Sequence, residues 1–333
     1  MKSAIITFSA EGHALGMKIA GLLPDASIER CKSGGLSAWT AAHFSDDALI
    51  FVGACGIAVR AIAPHAKSKA KDPAVVVIDE LGRFAIPILS GHIGGANALA
   101  LRLSRALGAV PVITTATDIH GLFAVDSWAA AQGLRIANPS MIKAVSARVL
   151  RGEAIRTSSD FPVDGQLPEG IELNDSEPHV VISVDANAPD DVLHIVPPIV
   201  TAGIGCRKGI AKDAIERAYA HALSAANCHP LAICRACSID IKADEPGILA
   251  FCADHSLPYQ TFPADALMAV PGSFTASAFV ESTTGADNVC ERSAVLGGGD
   301  GSRLILTKTA MDGVTMALSA APISIKFDEV ANQ

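Results

Sequence analysis

The sequence lacks the apolar run of roughly 20 residues that a membrane-spanning helix needs. Residues 1–9 contain only a short apolar stretch, and Glu11 and His13 follow it directly, which is not the pattern of a secretory signal. We therefore expect a cytoplasmic protein that spans no membrane.

Positive charge is also scarce, because 26 Lys and Arg residues stand against 34 Asp and Glu residues and give a formal net charge of −8. Proteins that bind nucleic acid or anionic membranes generally present a basic surface, so we expect neither as a partner. A local basic pocket for an acidic small molecule remains compatible with this balance. Half of the 333 residues are hydrophobic, which predicts buried cores and, at this length, two or three domains.

Common cofactor fingerprints are missing as well. None of the glycine turns matches the GxGxxG or GxxxxGKS/T patterns of nucleotide-binding loops, which disfavours a dinucleotide-dependent oxidoreductase. Cys234 and Cys237 form a CxxC pair without a second metal-ligand pair at zinc-site spacing. We predict reduced, buried thiols and no metal held by the protein, with a zinc site as the less favoured alternative.

What the sequence does contain is an alternation of strand-like and helix-like segments. This alternation predicts an α/β fold with open, mostly parallel sheets in an N-terminal domain, residues 1–135, and a C-terminal domain, residues 198–333. Turn-forming residues dominate residues 136–197, which predicts a small, loop-rich middle module with one clear strand at 179–184. Residues 72–89 predict a β-hairpin.

The most informative stretch is residues 89–100, LSGHIGGANALA, where a predicted strand passes into a predicted helix. Glycine lets the backbone approach a ligand closely, and a helix N-terminus presents N–H groups to an anion. Ser90, His92 and Asn97 add hydrogen-bonding side chains, and His92 can transfer a proton near neutral pH. We predict an anion-binding, catalytic turn; the alternative is a turn whose glycines serve packing only.

Other turns add candidates for the same chemistry. Glycine turns follow predicted strands at residues 53–56 and 203–209, and the second carries Arg207 and Lys208, which suit a carboxylate or phosphate ligand. Ordinary solvated charge is the alternative for these two cations. Residues 114–118 leave a strand at what we expect to be the carboxyl edge of a parallel sheet, where ligands collect; an N-cap or Asx turn is the alternative for Asp118.

Taken together, these segments resemble the CbiG family of cobalamin biosynthesis, the cobalt-precorrin-5A hydrolases. The resemblance covers nearly the whole chain and is weakest in the middle module. The matching stretches are residues 53–64, 71–80, 89–100 and 112–118 in the first half, and residues 203–209, 238–242, 289–294 and 306–308 in the second.

The resemblance implies an enzyme that uses water to open the δ-lactone on ring A of a cobalt-bound, contracted tetrapyrrole and releases acetaldehyde. Cobalt would arrive within the substrate, so no other cofactor is expected. The substrate's acetate and propionate groups would be ligands for Arg60, Arg207, Lys208 and Lys242. The alternatives are a corrinoid-binding escort protein without chemistry and a tetrapyrrole methyltransferase. Neighbouring pathway enzymes or a second copy of the chain are hypothetical partners.

Lactone hydrolysis needs a base that activates water and donors that stabilise the oxyanion. Our hypothesis is that His92 acts as the acid or base. The amides around Gly94 and Gly95, together with the Asn97 side chain, would stabilise the oxyanion. Asp118 or Glu291 would accept the proton whose loss frees acetaldehyde. The residues predicted to bind substrate are Gly53, Gly56, Arg60, Ser90, Gly91, Gly94, Gly95, Asn97, Thr114, Thr115, Gly203, Gly205, Arg207, Lys208 and Lys242.

Overall fold

Three larger sheets and one two-stranded pair organise the part of the chain that the computed structural model describes, residues 1–67, 72–91, 94–115 and 122–327. The first sheet has six strands and lies within residues 3–111. The second and third sheets have five strands each. The prediction of an α/β fold with mostly parallel sheets in the N- and C-terminal regions is confirmed.

The first sheet has the strand order β2-β1-β3-β4-β5-β6. Alternate residues of its central strands enter two hydrophobic cores, one beneath α1 and α4 and the other beneath α2 and α3. The elements are β1 (Ser3–Thr7), α1 (Ala10–Ala20), β2 (Ala26–Arg30), α2 (Leu36–His43), β3 (Ala48–Val52), α3 (Cys55–Ile62), β4 (Ala74–Ile78), β5 (Phe84–Leu89), α4 (Ala96–Leu107) and β6 (Val110–Pro111).

The predicted hairpin reverses the chain in this sheet. Strands β1 to β4 are parallel, but β5 runs antiparallel to β4, with Leu89 opposite Val75 near the start of β4. Strand β6 is parallel to β5. The carboxyl ends of β5 and β6 therefore lie at the edge of the sheet where the other strands begin. For β6, which precedes residues 114–118, the sequence had led us to expect the carboxyl edge of the parallel strands.

The middle region holds more regular structure than predicted, since its sheet has the order β10-β8-β11-β12-β7. Its strands are only two to five residues long and alternate with turns, so they carry little periodicity in the sequence. The elements are α5 (Val125–Ala131), β7 (Arg135–Ile136), α6 (Ile142–Leu150), β8 (Ile155–Ser159), β9 (Val163–Asp164), β10 (Ile171–Leu173), β11 (Val180–Ile182) and β12 (Leu193–Val196).

The core of the second sheet extends beyond residues 136–197. Trp128 of α5 stacks on Phe327 with ring centroids 4.7 Å apart, and its Nε1 donates to the carbonyl of Lys326. Helix α5 thus packs with the second sheet although it precedes residue 136. The domain boundaries after residues 135 and 197 stay a prediction.

The third sheet has the order β15-β14-β13-β17-β16. Strands β13, β14 and β15 are parallel, whereas β16 and β17 form an antiparallel hairpin whose β17 pairs antiparallel with β13. Helices α7 and α8 pack on one face, and α11 packs against β13, β14 and β17. The elements are β13 (Val200–Cys206), α7 (Lys212–Ala225), β14 (Ile233–Ile239), α8 (Pro246–Asp254), β15 (Tyr259–Phe262), α9 (Ala264–Ala269), α10 (Ala278–Thr284), α11 (Cys290–Gly298), β16 (Arg303–Met311), β17 (Val314–Ala320) and β18 (Ile325–Lys326), which pairs with β9.

Of the helices that the structure describes, none combines the length and the apolar character needed to cross a membrane.

A buried histidine lies where the second and third sheets meet. His194 of β12 is 3% exposed, and its Nε2 lies 3.2 Å from Ser183 Oγ. The rings of His194 and His229 meet edge to face, with centroids 5.4 Å apart. Burial lowers the pKa of His194, although the Ser183 carbonyl and the charges of Asp185 and Asp160 act in the opposite direction. His194 is therefore held in its neutral form.

We predict that the folded state loses stability as the pH falls from about 7 to about 5. The pKa of His194 in the folded chain lies below its unfolded value of about 6.5, so the unfolded chain binds more protons in this interval. The His194→Asn variant should show a shallower dependence of the melting temperature on pH. The exposed His221→Asn variant is the matched control and should keep the wild-type slope; an unchanged slope for His194→Asn would contradict the assignment.

Candidate functional site

A cavity of about 930 Å³ opens at the carboxyl ends of β13 and β14, bounded by Gly205 and Cys206 on one strand and by Ile239 on the other. This is the edge at which open α/β sheets collect ligands. Its polar lining includes the cationic residues Arg207, Lys208, Lys242 and Lys308, and its apolar lining includes Ile239, Ile241, Phe279, Val280 and Val289. The cavity thus offers positive charge beside apolar walls.

The structure brings together several residues that the sequence predicts to bind the substrate, since Gly205, Arg207, Lys208 and Lys242 all line this cavity. The prediction missed Lys308. Its side chain comes from β16, which the sequence identifies only as a strand, and only the antiparallel pairing with β17 brings that strand to the cavity. Residues 306–308 resemble the family, but this triplet carries no chemical signal by itself.

Glu245 holds the cationic rim in place. Its Oε1 accepts hydrogen bonds from the amides of Gly209 (2.7 Å) and Ile210 (3.2 Å), and its Oε2 accepts from Lys242 Nζ (3.0 Å). Burial acts to raise the pKa of Glu245, but the bonds from Lys242 and the two amides outweigh it and lower the pKa. The ionised carboxylate therefore fixes both the ammonium group and the loop that carries Arg207 and Lys208.

Gly203 lies in a strand and not in the ligand-binding loop that the sequence predicts. The sequence predicts Gly203 and Gly205 in a ligand-binding loop, whereas both lie within β13. A Cβ at Gly203 would overlap the carbonyl oxygen of Cys290, so the absence of a side chain lets α11 lie directly on the strand. Packing, rather than ligand contact, explains Gly203, while Gly205 does line the cavity.

Glu291 is 1% exposed and is not among the residues that line the cavity. Its Oε2 accepts from the Thr275 amide (2.7 Å), and its Oε1 accepts from Thr275 Oγ1 (2.9 Å) and from the Lys308 amide (2.7 Å). This carboxylate ties the loop before α10 and strand β16 to α11. The geometry favours a structural role, and its role as a proton acceptor stays a prediction.

Burial raises the pKa of two cysteine thiols in or near the third sheet, Cys206 and Cys237. Burial raises the pKa of Cys206, at the cavity wall, to about 11, although the charge of Lys242 acts in the opposite direction. Burial likewise raises the pKa of Cys237 in the CxxC pair to about 12. Both thiols stay protonated at neutral pH and are weak nucleophiles and weak metal ligands in that form.

The described residues of the 89–100 stretch, 89–91 and 94–100, connect β5 to α4 as predicted, and Ser90 occupies the left-handed region with φ of 54°. Ser90 Oγ donates to the carbonyl of Asp72 (2.9 Å), and Asn97 Nδ2 donates to Thr115 Oγ1 (2.9 Å). The predicted proximity of this turn and the threonine segment is thereby observed. A Cβ at Gly94 would overlap the Ser90 side chain, so the turn needs glycine there.

The first amides of α4 already have partners inside the turn. The amide of Ala96 donates to the carbonyl of Ser90 (3.1 Å), and that of Asn97 donates to the carbonyl of Gly91 (2.9 Å). Gly95 caps the helix with φ of 81°. The predicted catalytic residues His92 and Asp118 lie outside the described residues, so their roles and that of the Gly94 and Gly95 amides stay predictions.

The predicted substrate-binding residues of the N-terminal region fall into two groups, which lie at opposite edges of the first sheet. Gly53 follows β3 and is buried against Phe8, while Gly56 and Arg60 are exposed on α3. The turn at 89–97 and the threonines, of which Thr114 is exposed, lie beyond β5 and β6 at the other edge. The hairpin reversal therefore separates these two groups.

Fold and site together define a three-sheet α/β protein with a cation-lined cavity suited to an anionic ligand. Three family models match the chain in order: Cobalamin synthesis G N-terminal at residues 38–118, Cobalamin biosynthesis central region at 123–197 and Cobalamin synthesis G C-terminus at 200–319. The chain belongs to the CbiG family of cobalamin biosynthesis proteins. The resemblance inferred from the sequence is confirmed.

Relatives from Salmonella typhimurium and Priestia megaterium, both named cobalt-precorrin-5A hydrolase, share 34% identity over 317 residues and 30% over 296 residues. These matches cover 86% and 82% of this chain and 89% and 78% of those proteins. A solved structure of a cobalamin biosynthesis protein G homologue from Sulfolobus solfataricus is 26% identical, covers 96% of this chain and 97% of that chain, and gives a TM-score of 0.43.

We predict that Glu291→Gln lowers the free energy of unfolding by about 1–3 kcal/mol, because an amide group would face N–H donors that now bind a carboxylate. Urea denaturation followed by circular dichroism measures the loss. Glu281→Gln, on the exposed surface of α10, is the matched control and should unfold like the wild type. A Glu291→Gln variant of unchanged stability but reduced turnover would contradict the structural role.

Proposed function

We propose that this chain is a cobalt-precorrin-5A hydrolase, which opens the ring A δ-lactone of its substrate with water and releases acetaldehyde to give cobalt-precorrin-5B. The names of relatives at 34% and 30% identity support this activity. The observation that carries the proposal in this chain is the convergence of Arg207, Lys208, Lys242 and Lys308 on one cavity.

The cavity fits a substrate of this class in both charge and size. A tetrapyrrole with acetate and propionate groups presents many carboxylates at the rim of an apolar macrocycle. Guanidinium and ammonium groups bind carboxylates by charge-assisted hydrogen bonds, and apolar walls accept the ring. The volume of about 930 Å³ lies at the large end of the range for small-molecule sites, about 300–1,000 Å³.

The reaction requires two bond cleavages in sequence. Water adds to the lactone carbonyl, and the C–O bond of the lactone breaks to leave a carboxylate and a hydroxyethyl group. Loss of the hydroxyl proton then breaks the carbon–carbon bond to the macrocycle, which keeps the electron pair while acetaldehyde leaves. Cobalt enters as part of the substrate, and we expect the protein to supply no other cofactor.

We assign the activation of water to His92, and the stabilisation of the oxyanion to the amides of Gly94 and Gly95 together with Asn97. Of the two acids that could accept the hydroxyl proton, Glu291 already accepts three hydrogen bonds. This arrangement favours Asp118. We also expect the protein to act in the cytoplasm, with pathway neighbours or a second copy of the chain as hypothetical partners.

Purified protein given cobalt-precorrin-5A without oxygen should release one acetaldehyde per substrate. His92→Ala should slow this release by roughly 10² to 10⁴, the scale of one acid–base group, whereas the exposed His221→Ala variant should match the wild type. Near-normal turnover by His92→Ala would remove His92 from the chemistry. Corrinoid binding by the wild type without acetaldehyde would contradict the hydrolase and favour the escort function.

We predict that Arg207→Ala and Lys208→Ala each raise KM about tenfold or more and leave kcat within about twofold, because a carboxylate contact acts equally on bound substrate and transition state. A hydrogen bond to a charged group contributes about 1.5–3 kcal/mol. Arg303→Ala, at the exposed start of β16, controls for loss of positive charge elsewhere. Steady-state kinetics measure both constants, and an unchanged KM would exclude these residues from substrate binding.

A further inference from the structure

The mouth of the cavity carries two large apolar side chains exposed to solvent. Phe279 of α10 is 78% exposed and Ile241, in the short 3-10 helix Asp240–Lys242, is 60% exposed, yet both line the cavity. Exposed apolar groups that belong to a built concave site commonly mark a place where a ligand binds.

Helix α10 is unusual because it buries none of its seven residues. Protein helices generally owe their stability to a buried apolar face. Here Val280 packs, half-buried, against a small core, and the ends are fixed by hydrogen bonds. Ser277 Oγ accepts from the Val280 amide (3.4 Å), the Ser277 amide donates to the Asp287 carbonyl (2.9 Å), and Gly285 ends the helix with φ of 77°. Phe279 is thus presented to the cavity by a helix that is fixed at both ends and at Val280.

The hydroxyl groups of α10 are directed to its own backbone. Ser282 Oγ and Thr283 Oγ1 donate to the carbonyl of Phe279 (2.9 and 2.8 Å), and Thr284 Oγ1 donates to the carbonyl of Val280 (2.8 Å). Such local bonds satisfy the hydroxyl donors within the helix. The helix therefore contributes mainly apolar surface to the cavity.

We propose that Phe279 and Ile241 form an apolar clamp that holds the macrocycle of a polycarboxylate tetrapyrrole, while Arg207, Lys208 and Lys308 bind its carboxylates. The proposal rests on the proposed function for the class of ligand. The positive charge beside the clamp selects an occupant that is both apolar and anionic. The clamp makes Phe279 and Ile241 specificity-determining residues: they favour a large ring over a small polycarboxylate that the cations alone would hold.

Equilibrium dialysis with cobyrinic acid, a cobalt corrin with free carboxylates, tests the clamp. Phe279→Ala and Ile241→Ala should each bind this probe about tenfold more weakly than the wild type, while Phe279→Trp should retain binding. Phe84→Ala and Ile305→Ala remove side chains of the same types that are 39% and 41% exposed outside the cavity. Both control variants should bind like the wild type.

A second probe separates the clamp from the cations. Tricarballylate carries three carboxylates but no ring, so its binding should be unchanged in Phe279→Ala and weakened in Arg207→Ala. Equal binding of cobyrinic acid by wild type, Phe279→Ala and Ile241→Ala would overturn the clamp, as would failure of the wild type to bind it. Loss of binding in these variants without acetaldehyde release by the wild type would support the clamp and contradict the hydrolase.

Discussion

The close approach of α11 to β13 is the constraint on which the C-terminal cavity depends. Gly203 allows it, because any side chain at this position would overlap the backbone of Cys290. With α11 fixed on the strand, the buried carboxylate of Glu291 reaches the Thr275 and Lys308 amides. One packing contact thus positions the segment before α10, which presents Phe279, and the strand that presents Lys308.

An acidic chain builds a positive cavity by pairing two of the three acids that line it. Glu245 bonds to Lys242, and Asp287 bonds to Arg292, whose Nε lies 2.6 Å from Asp287 Oδ1. The hydrogen bonds from Arg292 lower the pKa of Asp287, although burial opposes them. Both acids line the cavity in ionised form with their charge already balanced. Arg207, Lys208 and Lys308, together with the exposed carboxylate of Asp244, then set the charge that a ligand meets.

Much of this arrangement could be predicted from the sequence. Alternating strands and helices predict the α/β class, and three of the cations predicted to bind substrate, Arg207, Lys208 and Lys242, line one cavity. Their role in binding stays a prediction. Gly203 could not be distinguished from a loop glycine, because close packing against α11 is a tertiary property. The edge of the sheet at which the 89–97 turn lies depends on how β5 pairs with its neighbours. The role proposed for Phe279 depends on its exposure in the folded chain. The short strands of the middle sheet left too few residues for a periodic pattern.

Hydrogen exchange with and without cobalt-precorrin-5A tests most directly whether the C-terminal cavity is the substrate site. Amide exchange reports local opening and ordering along the chain. Our account predicts slower exchange on binding in residues 205–209 and 278–285, which form the cationic rim and the helix that carries Phe279. Protection confined to the 89–97 turn, with both cavity segments unchanged, would contradict it.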